Sequence, residues 1–123
     1  MDYNKWINDF LNAWKNQDVD AVMKTISKNC KYYETVFDKP CSNFENIRKL
    51  WEVVPTNQKD IEFDYKIILS NDKFCIVNFF VKRTLGPSGI VQNIDGIFQI
   101  SLDKNGLCSF FKQWRSVKED GSK

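Results

Sequence analysis

Glu34 stands in the run "CKYYETVF" beside Tyr33, Val36 and Phe37. A carboxylate desolvated by such neighbours is disfavoured in its charged form, which is how a general base acquires a raised pKa. The alternative is a rim residue paired with a Lys or Arg, with no chemical task. Asp95 also has two readings: a polar group reaching into a pocket near Glu34, as paired carboxylates do in acid–base work, or the start of a strand whose Gly96 marks a bulge or a close approach. Arg115 can hold a carboxylate or phenolate ligand in a two-pronged grip, or close an internal ion pair with Glu34 or Asp95. Gln113 shares its strand face, since alternate residues of a strand point the same way. Asn78 is the odd polar residue between Ile76 and Phe80, and a buried amide needs partners.

The chain has no histidine. That removes Ser–His and Cys–His nucleophile pairs and leaves no imidazole for zinc or iron, so acid–base chemistry must run on carboxylates, Lys, Tyr or Cys. No motif implies a metal or an organic cofactor. Cys30, Cys41, Cys75 and Cys108 are widely spaced without a C-x-x-C pair, and reduced, buried thiols are expected rather than a disulfide framework. The 18 basic and 16 acidic residues leave a charge of +2. Lys82, Arg83, Arg115 and Lys118 are the nearest approach to a basic patch, too little for nucleic-acid binding.

These residues need elements to position them. Trp6, Ile7, Phe10, Leu11 and Trp14 recur at helical spacing behind Asp2, which predicts an amphipathic helix over residues 3–16. Trp14 is either core or a cavity edge. Asp18 caps a shorter helix with Val19, Val22, Met23 and Ile26 on one face. Residues 30–37 read as a strand ended by Pro40. Ser42 and Glu45 stand at capping-box spacing before a third helix carrying Ile47, Leu50, Trp51 and Val54, stopped by Pro55. From Ile61 to Leu69 the period becomes two, with one buried and one wet face. Asn71 and Asp72 turn the chain into "KFCIVNFFVKRT", apolar on both sides as a central strand would be. A fourth strand follows at about residues 90–102, and "DKNG" leads into a last one from Leu107 to Ser116, on which Ser109, Phe111, Gln113 and Arg115 oppose Cys108, Phe110, Lys112 and Trp114. The tail from 117 is expected to fray.

Helices grouped before a meander of strands predict an α+β domain, with three N-terminal helices covering one face of a curved, cone-shaped antiparallel sheet. At 123 residues, 15% of them aromatic, the chain is expected to be one well-packed domain. "MDYNKWINDF" lacks the features of a signal peptide and no apolar run is long enough to span a bilayer, so a cytoplasmic protein without membrane contact is expected.

This order of elements resembles the nuclear transport factor 2-like superfamily, and within it the SnoaL-like branch. The resemblance runs over nearly the whole chain: "FLNAWKNQDVDAVMKTIS", "YYETVF" with Pro40, "IRKLW", "QKDIEFDY" and "DGIFQISLDKNGLCSFFKQW". Laid without gaps on ketosteroid isomerase, a member of that superfamily, "CKYYETVFDKPCSNFENIRKLW" puts Glu34 at the general base and Trp51 on a pocket aromatic, with Tyr32 among the rings around the carboxylate. The oxyanion-stabilising Tyr falls on Phe10 and its protonated Asp partner on Phe98. A phenyl ring cannot donate a hydrogen bond to a developing enolate, so ketosteroid isomerisation is not expected.

The resemblance implies a cavity that takes a small hydrophobic molecule, lined by Trp14, Tyr32, Trp51, Asn78, Asp95, Phe98, Gln113 and Arg115, with Glu34 as candidate base. The alternative is a non-catalytic dimeric interaction or ligand-binding module. A homodimer through the outer sheet face is expected in either case, because helices cover one face only and the other strand faces are also apolar.

Overall fold

The computed structural model describes residues 2–33, 39–41 and 43–120. Helix α1, Tyr3–Lys15, begins where the Asp2 carboxylate accepts the Lys5 backbone N–H at 2.9 Å. Its stripe Trp6, Ile7, Phe10, Leu11 and Trp14 is buried. Helix α2, Val19–Met23, is capped by Asp18, which accepts from Ala21 N at 3.0 Å. It stops short of Ile26, which opens strand β1, Ile26–Tyr33, and so belongs to the sheet rather than to the helix face.

Helix α3, Phe44–Glu52, takes Asn43 as its cap, whose side chain accepts from Glu45 N and Asn46 N. The cap therefore falls one residue later than the Ser42–Glu45 spacing predicts, and Ser42 lies outside the described residues. Pro55 does not end this helix. A separate turn of helix, α4, Val54–Asn57, holds the proline at its start, where its missing N–H would have had no helical partner.

Strands β2, Gln58–Ser70, β3, Cys75–Leu85, β4, Val91–Leu102, and β5, Cys108–Asp120, form the meander, and the sheet order is β1-β5-β4-β3-β2. The fold is α+β with a curved five-stranded sheet, as expected. It is not wholly antiparallel, because β1 pairs with β5 in parallel, Tyr32 facing Phe111. The segment expected to fray from Val117 instead pairs with β4 as far as Val91 and Asp120.

Register shifts between Lys59 and Glu62, between Ile67 and Leu69, and between Ser101 and Leu102 bend the sheet. The last of these puts Cys108 on the buried side, reversing its expected face. The second leaves Leu69 on the wet face rather than the buried one. The inner rows run Val77–Phe98–Gln113 and Phe79–Gly96–Arg115 across three strands, and the helices pack on that side.

Rings dominate the core. Phe79 stacks on Phe98 at 3.9 Å between centroids, Tyr32 on Phe111 at 4.6 Å, and Trp6 on Phe10 at 4.8 Å. Each fully buried large side chain contributes about 1.5–3 kcal/mol. No helix is long and apolar enough to cross a membrane, among the described residues.

Candidate functional site

A part-enclosed cavity of about 160 Å³ lies between the inner sheet face and the helices. Phe10 from α1, Phe98 from β4 and Phe111 from β5 form its floor, mutually tilted or edge-on at 4.9–5.8 Å. Trp14 and Trp51 meet edge to face at 5.7 Å and make one wall, and Tyr32 stands beside them. Their polar atoms are engaged: Trp14 Nε1 donates to Gln58 Oε1 at 2.9 Å and Trp51 Nε1 to Tyr32 Oη at 3.2 Å. Indole N–H groups satisfied in this way leave ring faces and edges for a ligand.

The polar lining residues Gln58, Arg83, Gln113 and Arg115 all come from the sheet, with Gln113 directly beside Phe98 in the β4–β5 ladder. Gln113 is buried, Arg83 half-buried, and Arg115 exposed at the mouth. Arg83 Nε donates to Gln92 Oε1 at 3.0 Å, and the Gln92 amide in turn donates to Glu119 at 3.1 Å. This row holds the Arg83 guanidinium in one orientation. Burial pulls its pKa down from the ordinary value, and the positive charge of Arg115 adds to that.

Of the residues expected at the site, Trp14, Tyr32, Trp51, Phe98, Gln113 and Arg115 are brought together here. Asn78 and Asp95 are not. Asn78 alternates with the inward-facing Val77 and Phe79, so it points to the outer face, where its Nδ2 donates to Asp95 Oδ1 and to Gly96 O, both at 2.8 Å. The pairing of Asp95 with Arg115 considered from sequence is thereby ruled out, the two lying on opposite faces. Glu34 lies outside the described residues. No cluster of three His, Cys, Asp or Glu side chains suited to a metal forms among the described residues.

Two polar lining residues were missed, Arg83 and Gln58. Arg83 continues the alternation Val77, Phe79, Val81 onto the inner face, a signal present in the sequence but read only as part of a basic patch. Gln58 had no such signal, because the irregularity around Asp60, whose φ is 52°, resets the alternation between Gln58 and Ile61.

No family model matches the sequence, and no curated protein sequence matches it significantly. Solved structures do match in three dimensions. A putative polyketide cyclase from Silicibacter sp. superposes with a TM-score of 0.79 at 14% identity, covering 92% of this chain and 88% of that one. SalBIII, an epoxide hydrolase/cyclase-like enzyme of pyran-ring formation in salinomycin, gives 0.77 at 16% identity over 92% and 89%. The Δ5-3-ketosteroid isomerase of Mycobacterium sp. gives 0.77 at 9% identity over 94% and 97%. The chain therefore has the fold of these structures, the nuclear transport factor 2-like fold.

Proposed function

We propose that the protein binds a small, largely apolar and aromatic molecule in this cavity, that it works as a homodimer, and that Glu34, next in sequence to Tyr33, supplies the base where the bound molecule is transformed. The observation that carries the binding proposal is the arrangement itself: a ring-lined cavity to which the sheet contributes a few polar side chains, the usual form of a small-molecule site. Its structural neighbours are described as a cyclase, an epoxide hydrolase/cyclase-like enzyme and an isomerase, which supports a small organic ligand. Ketosteroid isomerisation is not part of the proposal. Phe10 and Phe98, at 5.8 Å edge to face, occupy the positions where the resemblance calls for hydrogen-bond donors.

A second copy of the chain as a partner is favoured by the outer face, where Phe80 and Trp114 are 40% and 39% exposed. This complements the cavity and does not replace it.

The test is a tryptophan-emission titration with apolar compounds bearing a carbonyl, carboxylate or phenol. Emission is expected to be quenched in the wild type and less so in Trp51→Phe, and equal quenching in both would remove Trp51 from the lining. Glu34→Gln is expected to keep the binding of uncharged compounds while abolishing turnover of any compound the wild type converts. Retained turnover would remove Glu34 as the base.

A further inference from the structure

We propose that the cavity selects an organic anion, a compact aromatic carboxylate whose carboxylate is gripped between Arg83 and Arg115 while its ring lies against the aromatic floor and wall. This rests on the reading of the cavity as a ligand site and names the ligand class it takes.

Three observations carry it. Arg83 and Arg115 line the same small cavity and their charges act on one another, although they rise from strands separated by β4. Neither has a carboxylate partner among the described residues: the ion pairs there are Lys5–Asp9, Arg48–Asp20 and Arg48–Glu52. Finally, Arg83 uses only Nε for its bond to Gln92, which leaves both terminal amino groups of the guanidinium without an acceptor among the described residues. Those two groups form the planar fork that meets a carboxylate in two parallel hydrogen bonds.

Placing two like charges at one apolar cavity is costly, and an anion between them removes the repulsion and supplies the missing acceptors. The depressed basicity of Arg83, caused by burial and then by Arg115, is the expected mark of that cost. Gln58 adds a further donor. Its Oε1 accepts from Trp14, which turns its Nε2 away from that indole and leaves it without an acceptor among the described residues. The aromatic side of the cavity is small, about 160 Å³ in all, which suits one or two fused rings rather than a polycyclic ligand.

The test uses 2-naphthoate and its uncharged counterpart 2-naphthamide, titrated calorimetrically into the 123-residue chain near neutral pH. Naphthoate is expected to bind about tenfold more tightly or better, the scale of a charge-assisted hydrogen bond. Its affinity, unlike that of the amide, is expected to fall as sodium chloride is added. In Arg83→Gln and in Arg115→Gln the ratio of the two affinities is expected to collapse toward one. Equal binding of the two compounds by the wild type would overturn the anion proposal and leave the cavity reading standing. Binding of neither would overturn both. A preference undiminished in either variant would overturn the assignment to these two arginines. The salt dependence, read on the unaltered protein, decides the matter if a variant fails to fold.

Discussion

A thiol sealed inside an apolar core loses its proton only by placing a charge there. Burial pushes the Cys75 thiol up to about 11, and it raises Cys108 as well, with Cys30 alongside adding to the effect through a hydrogen bond. Cys30, Cys75 and Cys108 are wholly buried, whereas Cys41 is half-exposed. A thiol reagent at about pH 8 is therefore expected to modify Cys41 alone in the native protein and all four cysteines after denaturation. Fast reaction of a second native thiol would show that the core opens around β1, β3 or β5, according to which of Cys30, Cys75 and Cys108 is modified. The sign of the pH effect follows from the direction of the shift. A thiol whose folded pKa is raised contributes stability in full below the ordinary value of 9, and loses it as pH climbs toward about 11. Denaturant midpoints are expected to fall across that window, and less steeply in Cys75→Ala once its intrinsic packing loss is subtracted.

Strand β4 carries Phe98 of the cavity floor, and Gly96 is what lets it do so. A methyl group at Gly96 would meet Phe79 Cε1 at 2.6 Å and Phe79 Cζ at 2.8 Å, and would also press on the Trp114 carbonyl of β5. Phe79 cannot yield freely, because it is fully buried and stacked on Phe98 at 3.9 Å. Gly96→Ala is thus expected to destabilise the fold by about 1–3 kcal/mol, the usual penalty of overpacking, and to weaken ligand binding by displacing Phe98. Chemical denaturation gives the first effect and the tryptophan titration the second. An unchanged denaturation midpoint would mean that β4 and β5 can separate locally without cost. From sequence, this glycine is legible only as a bulge or a close approach; the structure shows the latter, with Phe79 as the approaching group.

At the scale of the whole molecule, the outer sheet face carries apolar side chains that the helices leave uncovered. Phe80 and Trp114 lie there, and Lys112 sits 5.0 Å from the ring centres of both Trp114 and Tyr33. A depression of about 510 Å³ on this face has Glu62 and Asp64 at the β2 side and Lys118 at the β5 side. A two-fold axis parallel to the strands and centred on this depression would lay the β2 side of one copy over the β5 side of the other, opposing these charges. Light scattering at micromolar concentration is expected to give twice the 14.5 kDa chain mass, and Phe80→Glu is expected to give a monomer. A wild type that scatters as a monomer would count against the dimer.

Local pattern was enough to establish α1 to α3 and the meander, while the family resemblance supplied Trp51 and the inward direction of Gln113 and Arg115. Helical spacing puts Phe10 and Trp14 on the inner face of α1, and strict alternation from Phe111 carries Gln113 and Arg115 to the inner face of β5. Where both faces of a strand are apolar, alternation cannot say which face is inside, and on β3 that choice awaited the burial of Val77 and Phe79 in the core. Asn78 and Asp95 therefore faced outward against expectation, and Arg83 faced inward unnoticed. Gln58 and Cys108 depended on register shifts, which arise from strand pairing and reverse the face of every residue beyond them. Residue periodicity is a property of one segment. Which of two apolar faces meets the helices, and where a ladder slips, are decided only when distant segments pack together.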